Sequence, residues 1–81
     1  MQIRELVENI VRALVDSPEQ VCVGEIEATR MRVLEIKVAK QDVGYLLGKK
    51  GKNIDALRTI ISAVSKKERY MVEVLEPNEP E

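Results

Sequence analysis

No histidine occurs among the 81 residues of this chain, which removes the usual general base near neutral pH and the commonest metal ligand. Tryptophan and phenylalanine are absent too, and with only Tyr45 and Tyr70 as aromatics the chain cannot build a platform of rings for stacked bases. One cysteine, Cys22, has no second thiol to pair with, so an internal disulfide and a thiolate pair for a metal are both excluded. Its valine-rich surroundings fit a small apolar filler. No apolar run approaches the ~20 residues of a membrane span. The opening Met1-Gln2-Ile3-Arg4-Glu5 is charged and lacks the apolar core of a secretory leader. These absences leave no catalytic constellation. They predict a soluble, cytoplasmic, reduced protein that is not an enzyme and has no cofactor, metal or membrane partner.

What is present must fit into one domain, expected over residues 1–76, followed by an acidic tail at 77–81 that has nothing to bury. A chain this short buries only about 60% of its unfolded surface, so nearly every apolar position must serve the core. A shallow surface site is therefore easier to accommodate than an enclosed cavity.

Periodicity gives the elements. Ile3, Leu6, Val7, Ile10, Val11, Leu14 and Val15 follow the i, i+3, i+4, i+7 rule and predict a one-faced helix, with Glu8 and Arg12 as an outward i, i+4 pair. Ser17-Pro18 ends it, because the residue before proline avoids helical angles. From Val21 to Ala28 the period becomes two, with Val21 and Val23 on one parity and Ile26 and Ala28 on the other; this shift at Gly24-Glu25 predicts a β-bulge. After the polar Thr29-Arg30 turn, Leu34, Ile36 and Val38 alternate with Glu35 and Lys37 in a second strand that pairs with the first as a hairpin. A short helix is expected from about Asp42 to Leu47 with Asp42 as its cap. Ile54, Leu57, Ile60, Ile61 and Val64 then mark a longer helix, and Tyr70, Val72 and Val74 a last strand. The sum is an α+β domain of order αββααβ, a three-stranded sheet covered by three helices.

The net charge is −1, which argues against indiscriminate coating of nucleic acid, but the charge is unevenly spread. Residues 1–39 hold five basic and seven acidic side chains, and residues 70–81 hold four acidic and no basic ones. Residues 40–69 hold eight basic side chains (Lys40, Lys49, Lys50, Lys52, Arg58, Lys66, Lys67, Arg69) against three acidic ones. That positive excess is centred on Leu46-Leu47-Gly48-Lys49-Lys50-Gly51-Lys52-Asn53-Ile54. Glycines at 48 and 51 let the backbone turn tightly and approach another backbone closely. Amides of the turn and of the helix it opens attract an anion, and three lysines add charge at the same place.

Several readings compete for this stretch. A nucleotide P-loop needs four residues between glycines, then Gly-Lys-Ser/Thr, entered from a strand; here only three residues separate Gly44 from Gly48, no hydroxyl follows the lysines, and a helix precedes. A DNA-binding helix-turn-helix joins helices through such a turn and could use Asn53 and Arg58 to read bases, but it does not require the Gly-Lys-Lys-Gly spacing. A solvated turn between core helices would explain a lone Gly-x-x-Gly, yet the fixed apolar flanks and the charge excess go beyond it. The whole stretch resembles the K homology (KH) signature of two aliphatics, Gly-x-x-Gly, two variable residues and an aliphatic, and the element order is that of the type II KH fold. More narrowly, Glu5-Leu6-Val7-Glu8, Ala13-Leu14-Val15-Asp16 and Val38-Ala39-Lys40 leading into Gly44 make residues 3–75 similar to the small bacterial single-KH proteins of the KhpA family.

The resemblance implies a binder of single-stranded RNA, acting as an RNA chaperone or post-transcriptional regulator, whose Gly48-Lys49-Lys50-Gly51 loop clamps the backbone of about four nucleotides. It implies an RNA-binding set of Gly48, Lys49, Lys50, Gly51 and Lys52 with Gly44, Leu47, Ile54 and Arg58. The bases would enter a shallow groove drawn from Val43, Gly44, Leu47, Ile54, Ile36 and Val38, although core packing accounts for each of these aliphatics equally well. Gly44 leaves room either for a base or for a close helix contact. A single groove of this kind binds weakly, so avidity from a second KH unit is expected, as a homodimer or as a heterodimer with a larger KH-containing protein. The alternative is a protein-interaction module that keeps the KH fold without binding RNA.

Overall fold

The first apolar stripe becomes helix α1 over Ile3–Leu14, with Glu5 in its first turn and Arg12 in its last, the charge placement that the helix dipole favours. The expected Glu8–Arg12 pair forms at 3.1 Å. Val15 turns to extended angles, and Pro18 opens a 3-10 turn over Pro18–Gln20. Strands β1 (Cys22–Ala28) and β2 (Met31–Lys37) pair antiparallel. Helix α2 (Val43–Leu47), helix α3 (Lys52–Ser65) and strand β3 (Tyr70–Val74) complete the order. This computed structural model describes residues 2–76; the acidic tail expected at 77–81 lies outside the described residues.

β3 joins β2 in parallel, so the sheet is mixed and ordered β1-β2-β3. Its inward face supplies Val23, Leu34, Ile36 and Val72 to a core shared with Val7 and Val11 of α1, Leu46 of α2, and Leu57 and Ile61 of α3. The fold class read from the sequence is the one observed. All three helices pack on that face, and the other face stays open.

Three local expectations need correction. There is no bulge at Gly24: the register runs unbroken from Cys22 opposite Lys37 to Ala28 opposite Met31. The parity shift has another cause, the acidic side chains that β1 turns inward beyond Gly24. Its inward positions there are Glu25 and Glu27, which reach Arg32 at 2.6 and 3.5 Å, while Ile26 lies on the open face. Cys22 is exposed on that face and fills no core space. Asp42 does not cap α2. It is fully buried, and its carboxylate accepts the backbone N–H groups of Asp16 (3.2 Å) and Ser17 (2.9 Å). It thereby fastens the end of α1 to the start of α2, some 25 residues later in the chain.

Candidate nucleic-acid interface

The glycine turn is fixed by backbone geometry on both sides. Gly48 donates its N–H to the Gly44 carbonyl at 2.8 Å, closing α2, and Gly51 donates to the Gly48 carbonyl at 3.1 Å. Gly48 has φ +74°, and a Cβ there would lie 2.6 Å from the Asn53 side chain and 2.8 Å from its backbone nitrogen. Glycine is thus required by conformation and by space. Gly51 is left-handed as well, at φ +75°. Lys50 adopts φ +57° despite its side chain, an uncommon state for a non-glycine residue.

Asn53 donates its side-chain N–H to the Tyr45 carbonyl at 2.7 Å, tying the first turn of α3 to α2 across the loop. No local spacing in the sequence marks this clamp, and it commits to the backbone a side chain that a helix-turn-helix would use to read bases. Beneath the turn Ile54 is only 5% exposed and belongs to the core. Lys49, Lys50 and Lys52 are exposed, and among the described residues none forms an ion pair or side-chain hydrogen bond. The leading amides of α3 have no acceptor within the helix and form its positive end. Three unpaired cations and a helix N-terminus converge on one turn. The arrangement suits a phosphodiester.

The other predicted residues divide. Gly44 is exposed, and a Cβ there would meet nothing within 4 Å, so the close helix contact is gone and open space remains. Leu47, three residues on and therefore on the same helix face, is also exposed. Arg58 stands farther along α3 and pairs with Asp55 at 3.1 Å. Ile36 and Val38 are buried and Val43 packs against the core, so with Ile54 they support the site from below and line no open groove. The accessible concavity is instead a shallow cleft of about 360 Å³ between α3 and β3, where Arg58 and Ser62 face Tyr70, Met71 and Val72. Along it β3 is an edge strand. The Arg69 carbonyl accepts from Arg32 N–H and Leu75 N–H donates to the Ile36 carbonyl, both at 2.9 Å. By the alternation of a parallel ladder, Tyr70, Val72 and Val74 turn their N–H and C=O groups to the open side. No group of His, Cys, Asp and Glu side chains able to hold a metal exists among the described residues, and no helix there is long and apolar enough to cross a membrane.

The family model described as "KhpA/KhpB, KH domain" matches residues 4–75. The chain belongs to that family. It is 40% identical over 74 residues to the RNA-binding protein KhpA of Clostridium acetobutylicum, covering 89% of this chain and 99% of the relative. The KhpA of Caldanaerobacter subterraneus subsp. tengcongensis is 42% identical over 73 residues, covering 88% and 97%, and that of Chlamydia pneumoniae 36% over 75 residues, covering 90% and 96%. In this KH-domain family the αββααβ order is complete in the present chain, from α1 to β3.

Proposed function

We propose that this protein binds single-stranded RNA by clamping its phosphate backbone on Gly48-Lys49-Lys50-Gly51. Lys52 and the first amides of α3 add to the same positive site. The three unpartnered lysines on a turn that only glycine can build carry this reading, and relatives over most of the chain are named RNA-binding proteins. Bases leaving the loop meet Gly44 and Leu47 on α2, then Arg58 and the open edge of β3, whose backbone groups can hydrogen-bond a base edge. With only one loop and a shallow cleft, affinity gains from a second KH unit, in a homodimer or with a larger KH-containing protein. Ile60 and Val64, one turn apart on α3 and 40% and 43% exposed, offer an apolar contact for such pairing. The same reading includes a role as RNA chaperone or post-transcriptional regulator in the cytoplasm.

The test replaces Lys49 and Lys50 with Asp. Surface substitutions of this kind usually stay within about 0.5 kcal/mol each, and both glycines remain, so the variant should melt like the parent. Fluorescence anisotropy with a short single-stranded RNA should show binding abolished by charge repulsion. In the parent, about three neutralised phosphates give a log–log salt slope near −2 on a short strand. A folded variant that binds as the parent does would remove the loop from the mechanism and favour the interaction-module reading.

A further inference from the structure

At the opposite end of α3 from the glycine loop lies a second group of cations. Arg30 sits on the β1–β2 turn, and Lys66, Lys67 and Arg69 on the turn from α3 to β3. These two turns meet around one concavity of about 300 Å³ lined by Arg30, Lys67 and Arg69 among others. Arg69 also lines the α3–β3 cleft that holds Arg58, and a third hollow with Ser62, Ser65 and Lys66. The three concavities therefore lie side by side around Arg69. Two acids, Glu27 and Glu68, line that first concavity and share the Arg32 guanidinium with Glu25, but the cations Arg30, Arg32, Lys67 and Arg69 outnumber them there. Arg30, Lys66, Lys67 and Arg69 form no ion pair or side-chain hydrogen bond among the described residues.

The helix itself connects the two ends. Gly51, Asp55, Arg58, Ser62 and Ser65 are spaced 4, 3, 4 and 3 residues apart, which places them on one stripe. The stripe carries no large apolar side chain, and its single acid, Asp55, is paired with Arg58 at 3.1 Å. Over 14 residues it spans about 21 Å at the helical rise. Among the described residues, Arg30, Lys50 and Lys66 are the non-glycine positions with positive φ. All three are basic, and they fall at the two ends of this stripe.

We propose that this far patch is a second phosphate-binding site, at which Arg30, Lys66, Lys67 and Arg69 hold the continuation of the same RNA strand after it leaves the glycine loop and passes Arg58. The inference rests on the RNA-binding reading and extends it: the preferred ligand is a single strand longer than the about four nucleotides that a loop of this type clamps.

The experiment compares uridine oligomers of about four and about ten nucleotides, lengths within the range of single-strand sites. They are titrated, with RNA in excess, against the parent, the Lys49→Asp/Lys50→Asp variant, and a Lys66→Asn/Lys67→Gln/Arg69→Gln variant. A longer strand offers more registers and so gains affinity on that ground alone, which leaves the salt slope unchanged. The slope is therefore the readout. With about seven phosphates neutralised on the long strand and about three on the short one, the parent slopes should be near −5 and −2. The far-patch variant should bind the short oligomer as the parent does, while its long-oligomer slope falls to about −3, Arg30 remaining. Should the triple variant fail to fold, Lys67→Gln alone should still lower the long-oligomer slope by about 0.7. Equal slopes on both oligomers in the parent, or an unchanged long-oligomer slope in the folded variant, would overturn the second site and leave the patch to an acidic protein partner. Loss of all binding in the loop variant beside parental short-strand binding in the far-patch variant separates the two sites. A parent that binds neither oligomer would overturn the RNA reading and this extension together.

Discussion

Arg32 and Lys50 carry the same charge in the same small domain, yet their surroundings differ in every respect that matters for function. Arg32 lies in the middle strand and reaches Glu25 and Glu27 of β1 on one side and Glu68, just before β3, on the other. Hydrogen bonds that it donates to Glu68 and then to Glu25 hold its guanidinium more firmly protonated than usual. Lys50 has no such partner and sits on a left-handed backbone. Asp42 belongs with Arg32: a buried carboxylate committed to the amides of Asp16 and Ser17. Committed charges hold segments together, whereas charges left unpartnered on a rigid turn remain available to a ligand. Substitutions in the first group should therefore cost stability, and those in the second should cost binding alone.

The largest stability effects should come from the buried positions. Leu57 is 2% exposed, and Leu57→Ala should cost about 2–5 kcal/mol through the cavity it leaves, much of what a domain this small possesses. A urea melt of this variant matching the parent would show that α3 does not pack as described. Asp42→Ala should cost about 2–4 kcal/mol, because two part-buried hydrogen bonds to a carboxylate are lost, and bonds to a charged group are worth about 1.5–3 kcal/mol each. The same urea melt measures it. If Asp42→Ala unfolded no more easily than Lys49→Asp/Lys50→Asp, the contrast between committed and free charge would collapse.

Gly48→Ala tests the boundary between the two groups. The added methyl would meet Asn53 at 2.6 Å in a backbone conformation that side chains rarely adopt, a strain of order 1–3 kcal/mol. It should lower stability and RNA affinity together, unlike the lysine changes that share its turn. Separate thermal melts and anisotropy titrations would detect a split between the two effects, and such a split would mean that the loop relaxes without moving its cations.

Much of this organisation was legible in the sequence, for physical reasons that also mark where it stopped. The α1 stripe, the alternation through Leu34 and Ile36, and the glycine spacing are local patterns, and the fold preserves them. The role of Asp42 was hidden because its acceptors' partners lie about 25 residues upstream, and a polar residue before a helix looks like a cap wherever its side chain goes. Gly24 reads as a bulge because a parity change within one strand cannot be told from an inward face that switches from apolar to paired charged side chains. At the candidate site the loop and its lysines could be located, but the accessible surface beside them could not. Ile36, Val38 and Ile54 are as apolar as a base groove would need, and the fold buries them all. The α3–β3 cleft depends on how a helix and a strand from separate segments pack, and no local spacing encodes that.

The smallest expected effect is also the finest probe of the Arg32 cluster. Tyr70 stands opposite Arg32 in the sheet register. Its phenol is raised above the ordinary 10.0 first by burial, then by the nearby Glu25 and Glu68, with Arg32 pulling the other way. The folded state thus favours neutral Tyr70. Between pH 10 and the folded pKa the unfolded chain has already lost that proton, so it binds fewer protons than the folded one and stability falls as pH rises. The contribution is full below pH 10 and is lost as pH climbs through the folded value. In a Tyr45→Phe background, which leaves a single phenol, an ultraviolet titration should place the Tyr70 midpoint above 10. Adding Arg32→Ala should move it further up, because two carboxylates then face the phenolate without their counter-charge. The same substitution should shift the melting midpoint only slightly near neutral pH, since solvent-screened ion pairs contribute little, and it should leave short-strand RNA affinity unchanged. A midpoint that falls instead, or an affinity that drops, would place Arg32 among the charges that serve the ligand and erase the distinction between it and Lys50.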